Sequence, residues 1–325
     1  MGVYLPFSGE TSDASLLFSR SQSFFKSSTC YLARPKAYTA EHRVADAIAP
    51  SMREALNRAF ARLQAKLTLT RAEAVFPDQN PERLLNAMPW DVVQNVLTEQ
   101  FEEMLRDTLR RAAFAQGRLL PNIIVRKAAA FRFDITNPRA VAWIKRHSAE
   151  LVVQVTEDTR TAIRRIVQRM FEDGIPPAAA ARELKSIVGL HERYAIAVDN
   201  YRRGLTAQEM EPDLIAERVD DYANRLRRQR AETIARTESI TASAQGQQEL
   251  WRQARDTGLL DPSRARRVWL VTPDERLCEI CEPIPDNGSV GLEEYFTAGD
   301  GSLVFHPPAH VQCRCAVRLV FEEMP

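Results

Sequence analysis

Four of the five cysteines of this chain lie near its C-terminal end, in two pairs separated by about thirty residues. The first pair, Cys278 and Cys281, has the C-x-x-C spacing of metal-binding turns, in which both sulfurs can point at one place. The second pair, Cys313 and Cys315, is two residues apart, and on an extended segment such side chains lie on one face. The two pairs together predict a tetrahedral zinc site.

Two histidines beside the second pair extend the set of candidate ligands. His310 precedes Cys313 by three residues and is expected to reach the same point from the preceding turn. We predict that the C-x-x-C pair is completed by two of three candidates, which are His310, Cys313 and Cys315. His306 is the least suited of the nearby residues. The predicted cofactor is a structural Zn²⁺, because structural sites fill all four positions with protein ligands.

Other chemistry for these cysteines fits the pattern less well. A redox C-x-x-C is expected within a thioredoxin-type strand, turn and helix, and it requires no second pair. A zinc deaminase requires a His-x-Glu ahead of its cysteines, and the sequence lacks it. Buried free thiols or a disulfide stay open as alternatives. So does a catalytic metal in an HNH-type nuclease that uses His306 and His310.

The segments on either side of the cysteines alternate as strands do. Residues 268–272 have the pattern of a strand buried on both faces, and residues 317–321 alternate again. Antiparallel pairing would place Cys278 just after the first strand and Cys313 just before the second, at one end of the ladder. A metal there would close a loop whose ordering costs about 1 to 2 kcal/mol per residue in backbone entropy. Zinc binding contributes about 10 to 16 kcal/mol against that cost.

Helical patterns dominate the chain ahead of this segment. Apolar residues at spacings of three and four within 52–67 mark a helix that begins near Ala45. A second helix is predicted from Trp90 or Asp91 to Gln116.

Caps and glycines divide the part that follows. Asn137 and Pro138 suit a helix start, and we predict one helix to about Val155 and another from Thr156 to Asp173, capped by Gly174. Three further predictions are a short helix from Pro176 to near Gly189, a helix from His191 to Arg203 closed by Gly204, and two long helical stretches within 214–256.

Arginine is concentrated towards the end of these helical stretches. Between Arg225 and Arg267 there are ten arginines, no lysines and five acidic residues. Because the guanidinium fork suits phosphate and carboxylate alike, nucleic acid or an acidic partner subunit is one interpretation. A solvated helix face paired with its own glutamates is the other. The candidate contact residues are Arg225, Arg227, Arg228, Arg230 and Arg236.

The first residues differ in composition from the rest. Eight serines fall within the first 28 residues, interleaved with the aromatic residues Tyr4, Phe7, Phe18, Phe24 and Phe25. An extended arm that orders against a partner through its rings is one interpretation, and a flexible tail is the other.

Composition sets the class of protein. With 325 residues, 45% hydrophobic and 27% charged, the chain is long enough for two or three ordinary globular cores. A net charge of +1 does not indicate a protein that coats DNA generally. The sequence predicts neither a membrane span nor a signal peptide. An odd number of cysteines, four in metal-like spacing, predicts folding in a reducing cytoplasm.

Several of these segments, in this order, resemble one family, the phage Mu F-like head morphogenesis proteins, which are minor head proteins of tailed phages. The similar segments are Ile234-Ala-Arg-Thr-Glu238, a helix with Gly246 and Trp251, Val268-Trp-Leu-Val-Thr272, Cys278-x-x-Cys281 and His310-x-x-Cys-Arg-Cys315. The stretch from Phe133 to Leu190 is similar to the family's helical part. The usual His-Pro-x-Cys-Arg-Cys is altered, since Ala309 precedes His310 and Val311 replaces the proline.

The resemblance implies a minor head protein, made in the host cytoplasm and built into the virion head near the portal, that acts in DNA packaging or ejection. We predict no enzymatic activity. The resemblance also implies the portal protein and major capsid or scaffold proteins as partners, and packaged DNA as a further one. A metal-dependent HNH-like nuclease and a DNA-binding structural protein are the alternatives.

The predicted fold is mainly α, with a multi-helix body and a small C-terminal α+β module stapled by zinc. We expect an arm at 1–44, an N-terminal helical region at 45–130 and a central helical domain at 131–210. The head-morphogenesis-like domain is expected at 211–325, with long helices and the zinc-binding strands.

Overall fold

The computed structural model describes residues 39–66, 80–118, 132–174, 184–272 and 274–322. The helices are α1 (Ala40–Lys66), α2 (Pro81–Ala87), α3 (Trp90–Gly117), α4 (Pro138–Glu172), α5 (Glu192–Ala207) and α6 (Pro212–Asp256). The strands are β1 (Ala265–Leu270), β2 (Val290–Gly291), β3 (Phe296–Thr297), β4 (Leu303–Val304) and β5 (Ala316–Phe321), with a 3-10 turn at Ile284–Asn287. The predicted mainly helical fold with a small C-terminal strand module is confirmed.

The helices of the body pack around one large core. Helix α6 contacts α1, α3 and α5, while α4 packs against α2, α3 and α5. The apolar stripe predicted on the first helix is buried at Met52, Leu56, Phe60 and Leu63. Helix α3 follows its predicted bounds and buries Leu97, Phe101, Leu105 and Leu109. No helix in the described part of the chain is long and apolar enough to cross a lipid bilayer.

Two predicted helix breaks are wrong. Residues 138–172 form the single helix α4, although the sequence predicts a break near Val155. Val155 and Thr156 are both 1% exposed, so packing of the continuous apolar stripe overrides the modest helix propensity of β-branched residues. The two stretches predicted within 214–256 likewise form one helix of 45 residues, α6.

The predicted ends of the other elements are confirmed in some places and wrong in others. Gly174 and Gly189 adopt φ values of +67° and +80° and end their elements as predicted. Gly204 does not close its helix, because α5 continues to Ala207. Most of the predicted arm lies outside the described residues, and its last part, 40–44, belongs to α1. The helix predicted from Pro176 also lies largely outside them, although 184–187 is helical.

The C-terminal module has its own core. It is centred on Trp269, which is fully buried together with Cys281, Ile284 and Phe296. Its three-stranded antiparallel sheet has the order β2-β1-β5. The register runs from Ala265 opposite Phe321 to Leu270 opposite Ala316, which confirms the predicted pairing. The sequence did not predict β2.

Helix α6 belongs to both cores. Its apolar residues up to Ala242 join the core of the body, and those from Trp251 onward join the core of the module. Between them lies a buried polar segment, which includes Ser243, Gln245, Gln247, Gln248 and Glu249. Gly246 in this segment lies against α3, and a Cβ there would be 3.0 Å from the Leu109 carbonyl oxygen. The module is therefore carried on the end of a helix that is packed along most of its length.

Candidate metal centre

The first cysteine pair lies in a tight turn after β1. The amides of Cys281 and Glu282 donate to the carbonyl of Cys278 at 3.1 and 2.9 Å. The hairpin β3–β4 closes over this turn, because the Gly299 amide donates to the Ile280 carbonyl at 2.9 Å. A Cβ on Gly299 would clash with the Glu279 carbonyl oxygen, so only glycine permits this close approach. The hairpin thus fixes the backbone that aims the two sulfurs.

The second pair lies just before β5, in a loop tied to two other elements. The Cys313 amide donates to the His310 carbonyl at 3.1 Å, and the Thr272 hydroxyl donates to the Arg314 carbonyl at 2.7 Å. Gln312 has a φ of +61°, and its amide donates to the Thr237 hydroxyl on α6 at 3.3 Å. Because α6 and the end of β1 both hold this loop, its sulfurs face the first pair.

All five predicted ligands converge in two overlapping groups. One group is Cys278, Cys281 and His310, the other is Cys281, Cys313 and Cys315, and the ligand atoms within each group lie within 4.8 Å of one another. Cys278 Sγ is 3.1 Å from His310 Nε2, and Cys281 Sγ is 3.8 Å from Cys313 Sγ. Two thiolates on one tetrahedral zinc are separated by about 3.8 Å, given a Zn–S bond of about 2.3 Å. The four cysteines are free thiols, and the donor set fits a metal ion.

Contacts within the cluster lower the pKa of Cys278 and Cys313 and raise the pKa of the other three groups. Contact with Cys313 and the nearby thiols raise the pKa of His310 to about 9. Contact with Cys281 and Cys315 lowers the pKa of Cys313, and in return contact with Cys313 raises that of Cys281. Burial acts to raise the pKa of Cys278, but amide donors and the His310 charge outweigh it and lower the pKa. A bound cation would allow the remaining thiols to ionise, since metal ligands must be deprotonated.

His306 belongs to neither group of ligands. It is half-buried between the module and α6, with Nδ1 2.8 Å from the Pro307 carbonyl oxygen and Nε2 3.1 Å from Gln245 Oε1. Burial lowers its pKa to about 4.

The chain was compared with known proteins. Residues 163–318 match the family model described as phage Mu protein F like protein. Over this part of its length, the phage Mu F-like region, the chain is similar to the phage Mu F-like family. The match runs from within α4 into β5, so the phage Mu F-like region contains α5, α6 and the cysteine cluster. It covers just under half of the chain and points to phage head morphogenesis. No curated protein and no solved structure matches the chain.

The Ala-Arg-Thr-Glu motif of the phage Mu F-like region joins three parts of the molecule. Thr237 holds the loop before Cys313, as described above, and Glu238 contacts His147 on α4. Arg236 lines a small cleft beside Arg314 and Cys315. Glu238 therefore contacts a separate helix, as predicted, whereas the bracing role of Arg236 stays a prediction.

Two of the five predicted contact arginines lie in the core of the phage Mu F-like region. Arg227 and Arg230 are 6% and 4% exposed and donate to the carbonyl oxygens of Ser186 and Gly189 at 2.5 and 2.7 Å. The prediction of a nucleic-acid contact does not hold for these two, because their guanidinium groups satisfy backbone carbonyls inside the protein. Arg225 and Arg228 are exposed, and Arg236 is half-buried.

No sequence pattern indicates two buried charges, of which one lies in the module and the other joins α6 to α4. Arg267 on β1 is fully buried between the rings of Phe296 and Phe305, at 5.2 and 4.4 Å, and donates to the carbonyl of Phe305 at 2.7 Å. Burial lowers its pKa to about 10. Glu249 on α6 is fully buried and pairs with Arg139 on α4 at 3.1 Å. Both residues occur in arginine-rich or glutamate-containing stretches that are typical of solvated surfaces.

Proposed function

We propose that this protein is a minor head protein whose C-terminal module is closed by one structural Zn²⁺. The observation that carries the proposal is the convergence of five thiol and imidazole ligands inside the region that matches the phage Mu F-like family. A set of donors that exceeds the four positions of tetrahedral zinc leaves none for a substrate, which favours a structural over a catalytic role.

The strand module needs such a closure. Between β1 and β5 the described residues form only two-residue strands and one 3-10 turn. The sulfur cluster joins the turn that follows β1 to the loop that precedes β5, so one ion would fix both ends of this segment. Ordering a loop of this kind costs backbone entropy, and zinc binding offsets a part of that cost.

The closed module is proposed to dock against the portal protein and against major capsid or scaffold subunits, in the virion head. Assembly would take place in the host cytoplasm. Packaged DNA is a further proposed partner, and Arg225 and Arg228 support it because both lie exposed on α6. Arginine favours phosphate and carboxylate equally, so an acidic face of a neighbouring subunit suits the same residues.

Two measurements test this function. Elemental analysis of the purified protein should find about one zinc per chain, and particles assembled with Cys278→Ser should contain less of the protein than particles assembled with wild type. Full incorporation of a metal-free protein would contradict the proposal. Incubation with DNA and divalent metal tests the nuclease alternative, for which cleavage abolished by His310→Ala would be required.

A further inference from the structure

Trp269 on β1 has a buried N–H group that needs an explanation. Its ring is fully buried and packs edge-on against Phe296, with ring centroids 5.2 Å apart. Among the described residues its Nε1 has no hydrogen-bond partner. Leaving a buried donor without a partner is costly, and few native groups are left so. The buried indole N–H of Trp269 therefore indicates that an acceptor becomes available to it in another state of the site.

The sheet register places Cys315 on the same face as the Trp269 side chain. Trp269 lies opposite Val317 on β5, and Cys315 precedes Val317 by two residues. Residues two apart on an extended segment share a face, and a diagonal cross-strand neighbour is within reach of an aromatic side chain. Trp269 and Cys315 also lie in the same buried cluster of the module.

Two other sulfurs of the cluster, those of Cys278 and Cys313, receive N–H groups from the backbone. Cys278 is approached by the amides of Ile280 and Cys281, and Cys313 Sγ lies 3.5 Å from the Cys315 amide. Such donors stabilise a thiolate, because hydrogen bonds to an ionised acceptor are about twice as strong as neutral ones. For Cys315, the register places the side chain of Trp269 on the same face of the sheet.

We propose that Trp269 positions Cys315 as one of the four metal ligands, its indole N–H donating to the Cys315 sulfur once the thiol has lost its proton to solvent on metal binding. This inference rests on the proposed metal site and adds a residue that supports a ligand. It also selects Cys315 from the three candidates that the sequence leaves open for the last two positions.

The test uses the full chain with Co²⁺ as the probe, because thiolate-to-cobalt absorption reports how many sulfurs bind. Trp269→Phe removes the N–H and keeps an aromatic ring, and Trp251→Phe is the matched control in the same core. We expect Trp269→Phe to weaken Co²⁺ binding about 10- to 100-fold, as changes to outer-shell residues do. Cys315→Ser should reduce the absorption by one thiolate, and adding Trp269→Phe to it should cause little further loss of affinity.

A second measurement avoids variants at Trp269. The chain has four tryptophans, so an ¹H–¹⁵N spectrum has four indole signals, assignable with Trp90→Phe, Trp143→Phe and Trp251→Phe. Zinc should shift the Trp269 signal in wild type and leave it in place in Cys315→Ser. If wild type binds metal while the Trp269 signal stays unchanged, or if the losses from Trp269→Phe and Cys315→Ser add fully, the positioning role is wrong. If wild type binds no metal, the proposed metal site falls with it.

Discussion

Glu238 Oε2 on α6 lies 2.6 Å from His147 Nε2 on α4, so a carboxylate that is 2% exposed meets a histidine across two helices. Glu150 Oε2 is 3.2 Å from the other ring nitrogen. Burial is the largest single influence and lowers the pKa of His147, but the two carboxylates together outweigh it and raise the pKa to about 9. A charged imidazolium therefore joins the phage Mu F-like motif to the helical body.

The His147 contact predicts a stability that depends on pH. Because the folded pKa lies above 6.5, the contribution is fully present below pH 6.5 and is lost as the pH rises through about 9. The shift corresponds to about 3 kcal/mol. In urea unfolding, wild type should lose its advantage over His147→Gln across this range.

His191 provides the matched control for this measurement. Burial lowers its pKa, so its contribution should be flat above pH 6.5 and should decline only as the pH falls below it. An advantage of wild type over His147→Gln that does not vary between pH 6.5 and 9 would contradict the prediction.

Removing the metal should loosen the module and leave the body folded. The two parts have separate apolar cores, and the proposed zinc lies in only one of them. We expect chelation, or Cys278→Ser, to open residues between β1 and β5 to limited proteolysis while helical circular dichroism changes little. Protease resistance that is the same with and without chelator would rule out a structural metal.

Gly299→Ala should damage the metal site without touching a ligand. The added methyl would clash with the Glu279 carbonyl and lie 2.9 Å from Pro283 Cγ, so the cysteine turn must shift. Overpacking of this kind costs about 1 to 3 kcal/mol, and metal affinity should fall with it. Thr297→Ala, at an exposed position of the same hairpin, serves as the control and should bind metal like wild type.

Gly246→Ala should weaken the crossing of α3 and α6. A Cβ there would lie 3.0 Å from the Leu109 carbonyl oxygen and 3.2 Å from the Ala113 amide nitrogen, both of which are backbone atoms. We expect a loss of about 1 to 3 kcal/mol in the free energy of unfolding. Gly204→Ala in α5 meets no atom within 4 Å and should instead stabilise by about 0.4 to 1 kcal/mol. Equal effects of the two substitutions on unfolding would refute this account of the crossing.

The arginines of α6 should separate into two classes. Arg225→Ala and Arg228→Ala remove exposed charges, so each should change stability by less than about 0.5 kcal/mol. If Arg225 and Arg228 contact DNA, each substitution should lower the number of phosphate contacts, calculated from the salt dependence of binding, by about one. Arg227→Met leaves the carbonyls of Ser186 and Val188 without their donor and should cost about 1 to 3 kcal/mol. Unfolding curves and binding at several salt concentrations distinguish the two classes.

Local rules account for what the sequence predicted well. The residue pattern over 268–272 and 317–321 predicts strands because few other structures fit it. The C-x-x-C spacing indicates a turn by itself. The break expected at Val155 failed because burial of α4 against its neighbours decides helix length there. The burial of Arg267 depends on carbonyls brought together by the fold, including that of Phe305, and no pattern around Arg267 encodes them.

The buried polar segment of α6 sets the angle between the two cores. An inserted residue between Ala242 and Trp251 would rotate everything after it by about 100° and advance it by about 1.5 Å. The ion pair between Arg318 on β5 and Glu41 on α1 would then break. The hydrogen bond from the Gln312 amide to Thr237 would also be lost. Seven inserted residues would nearly restore the rotation but displace the module by about 10 Å. Because each residue of the helix sets both a rotation and a rise, the number of residues in this stretch matters as much as their identity.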